Sequence, residues 1–155
     1  MTKRVLGIED QDVKWARVHA LLSEAIPDSR VERAKDMFEA ESMVEEGRWD
    51  LVILDISLDI RSAGRGRSAH DYIGGLEIAG HMYYEDCSIP TIIVTGFDSY
   101  PTSGAAHEHN VILGSEDVQR KACEFLGDDF LGAVRYNAPG WEGKLLQLLK
   151  DFDAR

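Results

Sequence analysis

The chain has 155 residues, of which 44% are hydrophobic, and it carries a formal net charge of −11. That length suits one domain with a real core, and that apolar content argues against disorder throughout. The acidic balance argues against a nucleic-acid partner, which needs a basic face to neutralise phosphates, and no apolar stretch approaches the length that crosses a bilayer.

Met1-Thr2-Lys3-Arg4 leads straight into a strand-like run and lacks the apolar centre of a signal peptide. Cys87 and Cys123 stand in neither metal-like nor redox-like spacing and read as reduced thiols. The expectation is a cytoplasmic protein with a single domain over residues 1–155.

The first strand is expected over Arg4 to Ile8, ending at Glu9-Asp10. A helix follows from Asp12 to Ile26, with Val18, Leu21, Leu22 and Ala25 in one apolar stripe and Pro27 as its stop. A weaker strand covers Arg30 to Ala34. Asp36 reads as an N-cap with Glu39 three residues on. Met37, Ala40, Met43 and Val44 face inward from that helix, and Gly47 suits its end.

The third strand is predicted over Leu51 to Ile56, a continuous apolar run broken by Asp55. A carboxylate inside such a strand is costly to bury without a partner. Asp55 is therefore expected at the carboxyl end, the edge where open α/β sheets bind ligands. With the first and third strands parallel and adjacent, Glu9, Asp10 and Asp55 meet there. Such a cluster requires a cation, or a proton held by a raised pKa.

Arg61 to Ser68 is rich in Gly, Arg and Ser and reads as a loop. A helix from Gly75 to Tyr84 carries Leu76, Ala79 and Tyr83 on one side. Thr91 to Thr95 is the fourth strand, and Phe97 to Asn110 a second long polar stretch. Ser115 caps a helix that aligns Val118, Ala122, Phe125 and Leu126, with Gly127 as its stop. The fifth strand lies within Phe130 to Tyr136. The last helix starts near Trp141, with Leu145, Leu148, Leu149 and Phe152 inward. This alternation predicts an α/β fold: a flavodoxin-like, doubly wound, five-stranded parallel sheet with helices on both faces.

The arrangement resembles a response-regulator receiver domain over nearly the whole chain, the two loops apart. Glu9-Asp10 look like the acidic pair that helps bind Mg²⁺, and Asp55 like the phospho-accepting aspartate. Thr95 stands where the family has a Ser or Thr that contacts the phosphoryl group. Phe130, after Leu126-Gly127-Asp128-Asp129, matches the aromatic residue linked to switching, and Gly75-Leu76-Glu77 the start of the third helix. The resemblance implies a Mg²⁺ site of Glu9, Asp10, Asp55 and the backbone carbonyl of Ser57. It also implies a signalling module rather than an enzyme. A sensor histidine kinase or phosphotransfer protein would phosphorylate Asp55, and a downstream protein partner or a homodimer would read the change.

Three departures stand against the pattern. Receivers carry a Lys at the end of the fifth strand, followed by Pro. Here the position falls on Ala133 or, with a longer strand, on Arg135, and the Pro is missing. Arg binds phosphate through a planar fork rather than a point charge. The loops over residues 59–74 and 97–114 are enlarged, and Asp59 stands where many receivers have Pro.

Plainer readings compete at several positions. Glu9-Asp10 suit a helix N-terminus electrostatically. Thr95 suits a strand, Phe130 a core, and Arg135 a solvated strand end. His107-Glu108-His109 offers two histidines, which do not make a metal site. The Arg61, Arg65, Arg67 run reads as a basic loop, and Trp141 as packing for the last helix. The alternative function is a pseudo-receiver that binds partners through its loops without phosphorylation. A small phosphotransfer enzyme using Asp55 lacks a placed general acid. The last helix is expected to end near Phe152, so output is expected from a separate protein, a homodimer or a larger parent chain.

Overall fold

The structure is a computed structural model that describes residues 1–58, 74–96, 99–102 and 111–155, the side chains of 99–102 and 111–115 excepted. The Arg61–Ser68 loop, Asp59, the His107-Glu108-His109 triplet and the Ser115 capping side chain lie outside the described residues.

Strand β1 (Arg4–Ile8) leads to helix α1 (Asp12–Ala25), β2 (Arg30–Ala34), α2 (Met37–Glu45) and β3 (Leu51–Leu54). Helix α3 (Gly74–Tyr84) and β4 (Thr91–Thr95) follow. A two-stranded antiparallel pair comes next, β5 (Ser99–Thr102) and β6 (Val111–Gly114). Helix α4 (Ser115–Leu126), β7 (Phe130–Arg135) and α5 (Trp141–Asp153) complete the order.

Five strands pair in parallel in the order β2-β1-β3-β4-β7. Apolar residues point from both faces of this sheet, so helices must cover both. One layer joins Val5, Ile53, Val94 and Val134 to Val18 and Leu22 of α1 and to Leu145 and Leu149 of α5. The other joins Leu6, Leu54 and Ile93 to Ala40 of α2, Ile78 of α3 and Ala122 of α4. No helix among the described residues is long and apolar enough to cross a membrane.

The α1, α2 and α5 stripes bury much as their periodicity predicts, and Trp141 is buried edge-on against Tyr136, 4.8 Å between ring centroids. Gly47 and Gly127 end their helices with φ of +40° and +54°. Asp36 caps α2 by accepting from the Glu39 N–H at 2.8 Å. The Glu39 carboxylate accepts in turn from the Lys35 N–H at 2.9 Å, one residue further back than in the usual capping box. Asp36→Ala is expected to cost about 1 kcal/mol in urea denaturation.

Three expectations are corrected. β3 stops at Leu54 rather than Ile56, because the Asp55 side chain accepts from the Ser57 N–H and turns the chain. On α3, Leu76 and Ala79 are buried, but Tyr83 is exposed and packs beside Tyr84 and Phe125. Ile78 and Met82 take its place in the core. With so many apolar residues in that helix, periodicity did not select one face. The 97–114 stretch, read as polar loop, contains β5 and β6. Val111-Ile112-Leu113 has strand composition, while Pro101 in its partner masks the pairing.

Candidate functional site

Ile8 and Leu54 are register partners on adjacent parallel strands, so the residues after them leave the sheet side by side. The Asp55 N–H donates to the Ile8 carbonyl at 3.0 Å and the Glu9 N–H to the Ala34 carbonyl at 3.1 Å. The first bond ties the end of β3 to β1, and the second ties the end of β1 to β2. Carboxylate oxygens of Glu9, Asp10 and Asp55 lie within 4.8 Å of one another. Asp55 is 2% exposed and Glu9 4%, whereas Asp10 sits at the exposed rim. The expected cluster is therefore present at the carboxyl edge.

The cluster contains a cation that the sequence reading did not single out. Lys14, 3% exposed, places its Nζ 2.7 Å from Glu9 Oε2 and 3.0 Å from Asp55 Oδ1. Its ammonium also stands 5.7 Å from the centre of the Tyr136 ring. Lys14 lies four residues before Val18, on the same buried stripe of α1. A charged side chain on a core-facing stripe was the signal available in the sequence: it must meet opposite charge where the stripe reaches the sheet edge.

The two oxygens of Asp55 differ. Oδ1 accepts from the Ser57 N–H at 3.0 Å, from Ser57 Oγ at 2.6 Å and from Lys14. Oδ2 is buried and has no hydrogen-bond partner. Glu9 is similarly anchored: Oε1 accepts from the Gln11 N–H at 3.0 Å, and its carbonyl accepts from Arg33 Nε at 2.9 Å. Three carboxyls around one ammonium still leave excess negative charge. Burial first, and then the Asp55 charge, push the Glu9 carboxyl up to about 8 against the opposing pull of Lys14. The Asp10 carboxyl is raised too, by desolvation and then by Asp55. Of the two remedies expected for such a cluster, the cation is met by the Lys14 ammonium, and the upward push on Glu9 and Asp10 runs in the direction of the other.

The N-terminus of α3 braces the same turn. Gly74 and Gly75 donate their N–H groups to the carbonyls of Leu58 and Ile56, at 2.8 and 3.2 Å. A Cβ on Gly75 would stand 2.0 Å from the Asp55 carbonyl oxygen, so only glycine lets the helix approach this closely.

Across the sheet, Thr95 ends β4, next to β3. A register shift between Thr91 and Ile92 inserts Leu131 as a bulge in β7, and Thr95 then pairs with Arg135. Ala133 pairs with Ile93, two residues inside the sheet. Of the two positions left open by the sequence, Arg135 is the one at the carboxyl edge, and it is exposed. Ala133 and Phe130 are half-buried against the α2–α3–α4 core layer. Ser57 is brought to Asp55 through its N–H and hydroxyl.

The parallel order β2-β1-β3-β4-β7, with helices on both faces and carboxylates at the carboxyl edge, defines a class: the fold is that of response-regulator receiver domains. No protein-family profile and no curated protein matches the sequence. Solved structures do share the fold. A CheY-like receiver domain protein from Methanospirillum hungatei JF-1 superposes with a TM-score of 0.66 at 17% identity, over 99% of this chain and 96% of that one. The response regulator domain of Thermotoga maritima CheB gives 0.64 at 16% identity, over 99% and 96%. The phosphorylated cyanobacterial phytochrome response regulator RcpA gives 0.64 at 15%, over 99% and 92%.

Proposed function

We propose that this chain is a phospho-accepting receiver of two-component or phosphorelay signalling, with Asp55 as the acceptor. The observation that carries the reading is the asymmetry of Asp55. One oxygen is tied by Ser57 and Lys14, and the other is buried, unpartnered and available as a nucleophile. In the step itself, Asp55 Oδ2 forms a bond to phosphorus while the bond to the donor breaks. With a phosphohistidine donor the imidazole leaves with the bonding electron pair, and an aspartyl phosphate results.

Glu9, Asp10, Asp55 and the Ser57 carbonyl are a hard oxygen donor set suited to Mg²⁺, which when bound supplies the positive charge that offsets the phosphoryl oxygens. Thr95 and Arg135 contact the phosphoryl group from β4 and β7, and their response alters the surface offered to a downstream protein or to a second copy. The donor is a sensor histidine kinase or a phosphotransfer protein in the cytoplasm. Asp55 passes the group on rather than turning over a substrate.

A second reading is a pseudo-receiver that binds partners without phosphorylation. Lys14 favours it, since an ammonium already neutralises the acceptor. Intact-mass spectrometry after incubation with acetyl phosphate and Mg²⁺ separates the two. The receiver gives a single phosphoryl adduct, lost with EDTA and in Asp55→Ala. The pseudo-receiver gives none.

A further inference from the structure

We propose that Lys14 is a tethered counter-ion that bridges Glu9 and Asp55, and that a divalent cation enters this site only by displacing it. The inference deepens the phospho-accepting reading and rests on it for the presence of a cation step.

The geometry is that of a cation site already filled. The ammonium lies 2.7 Å from Glu9 Oε2 and 3.0 Å from Asp55 Oδ1. A Mg²⁺ ion bound to the same two oxygens needs them at about 2.1 Å in near-octahedral order. The two cations cannot share that gap. The donor set exceeds what one ammonium satisfies: Asp55 Oδ2 is buried without a partner, and the Asp10 carboxylate completes the cluster. A single charge thus stands where the ligands call for two.

Lys14 is also suited to leave. It sits in the first turn of α1, where the positive end of the helix dipole disfavours an ammonium. Its hold on the position comes from the two carboxylates, and these are the groups a divalent ion takes over. The Tyr136 ring, 5.7 Å away, offers a cation-binding face beside the site. Removing Lys14 should therefore strengthen divalent binding, the reverse of what a residue that helps hold the ion would do.

The test is a Mn²⁺ titration followed by the EPR signal of free ion, repeated with Mg²⁺ as competitor, on the wild type, Lys14→Met and Lys14→Gln. Folding is checked by circular dichroism. Both variants are expected to bind Mn²⁺ at least about tenfold more tightly than the wild type, a difference of ~1.4 kcal/mol. Both should also gain more thermal stability from Mg²⁺ than the wild type gains. Equal or weaker binding in the folded variants overturns the proposal, while a phosphoryl adduct on Asp55 would leave the receiver reading standing. No binding in any of the three proteins removes the proposal together with the metal-dependent reading. Failure of both variants to fold even with saturating Mg²⁺ also overturns it, since the ammonium would then not be exchangeable for the ion.

Discussion

Gly75→Ala is expected to destabilise the protein by about 3 kcal/mol, near the upper end of overpacking effects. The added Cβ would stand 2.0 Å from the Asp55 carbonyl oxygen, 2.5 Å from Ile56 Cα and 2.6 Å from the Asp55 carbonyl carbon. All three are backbone atoms, so no side-chain rotation relieves the clash. Helix α3 cannot retreat without breaking the bonds from Gly74 and Gly75 to Leu58 and Ile56. The substitution therefore moves Asp55 itself, and any phosphoryl adduct on it should fall together with stability. Gly80→Ala in the same helix is the control. Its Cβ would meet the Phe125 ring at 3.4 Å, an ordinary contact, and alanine favours helix by about 1 kcal/mol over glycine. Urea midpoints should drop sharply for the first variant and hold or rise for the second. Equal midpoints would show that the α3 N-terminus yields freely.

The second large effect is on pH dependence. In metal-free buffer with EDTA, wild-type stability is expected to decline as pH rises from about 4.5 to about 8. The Glu9 carboxyl, ordinarily near 4.5, is held at about 8 in the folded protein. Across that window the folded state keeps a proton that the unfolded chain has released. The stabilisation is complete below the unfolded value and is lost through the folded one, at a slope of at most ~1.4 kcal/mol per pH unit. Asp10 is raised and contributes in the same direction. Glu9→Gln removes the titrating group while keeping a neutral side chain of the same shape, so its urea midpoint should vary less over that window. Parallel profiles for the two proteins would assign the retained proton to another group.

The elements that formed as expected are those whose apolar pattern has one interpretation. The runs at Val5–Ile8, Leu51–Leu54 and Thr91–Val94 are apolar on both faces apart from the glycine and threonine positions, and all three became central strands. Glu9 and Asp55 follow such runs directly, which is why the acidic site was legible without coordinates. Lys14 was legible only in part. Its place on the α1 stripe marks it as buried, but its partners come from β1 and β3, separated from each other by more than forty residues of sequence. The hairpin of β5 and β6 was missed because Pro101 and a polar strand conceal a pairing that depends on the partner segment.

Sequence by itself determined the alternation of strands and helices, the two apolar layers and the strand-end carboxylates, because hydrophobic periodicity and the cost of burying charge act locally along the chain. Tertiary structure alone decided which cation answers those carboxylates and which residue of β7 reaches the edge. The first depends on how α1 lies across the sheet and swings Lys14 between Glu9 and Asp55. The second depends on a bulge that shifts β7 by one residue, where Gly132 adopts a φ of +154° with its Cα face against Leu148, and so sets Arg135 opposite Thr95. Register and helix docking are set by packing between distant segments, and no local pattern records them.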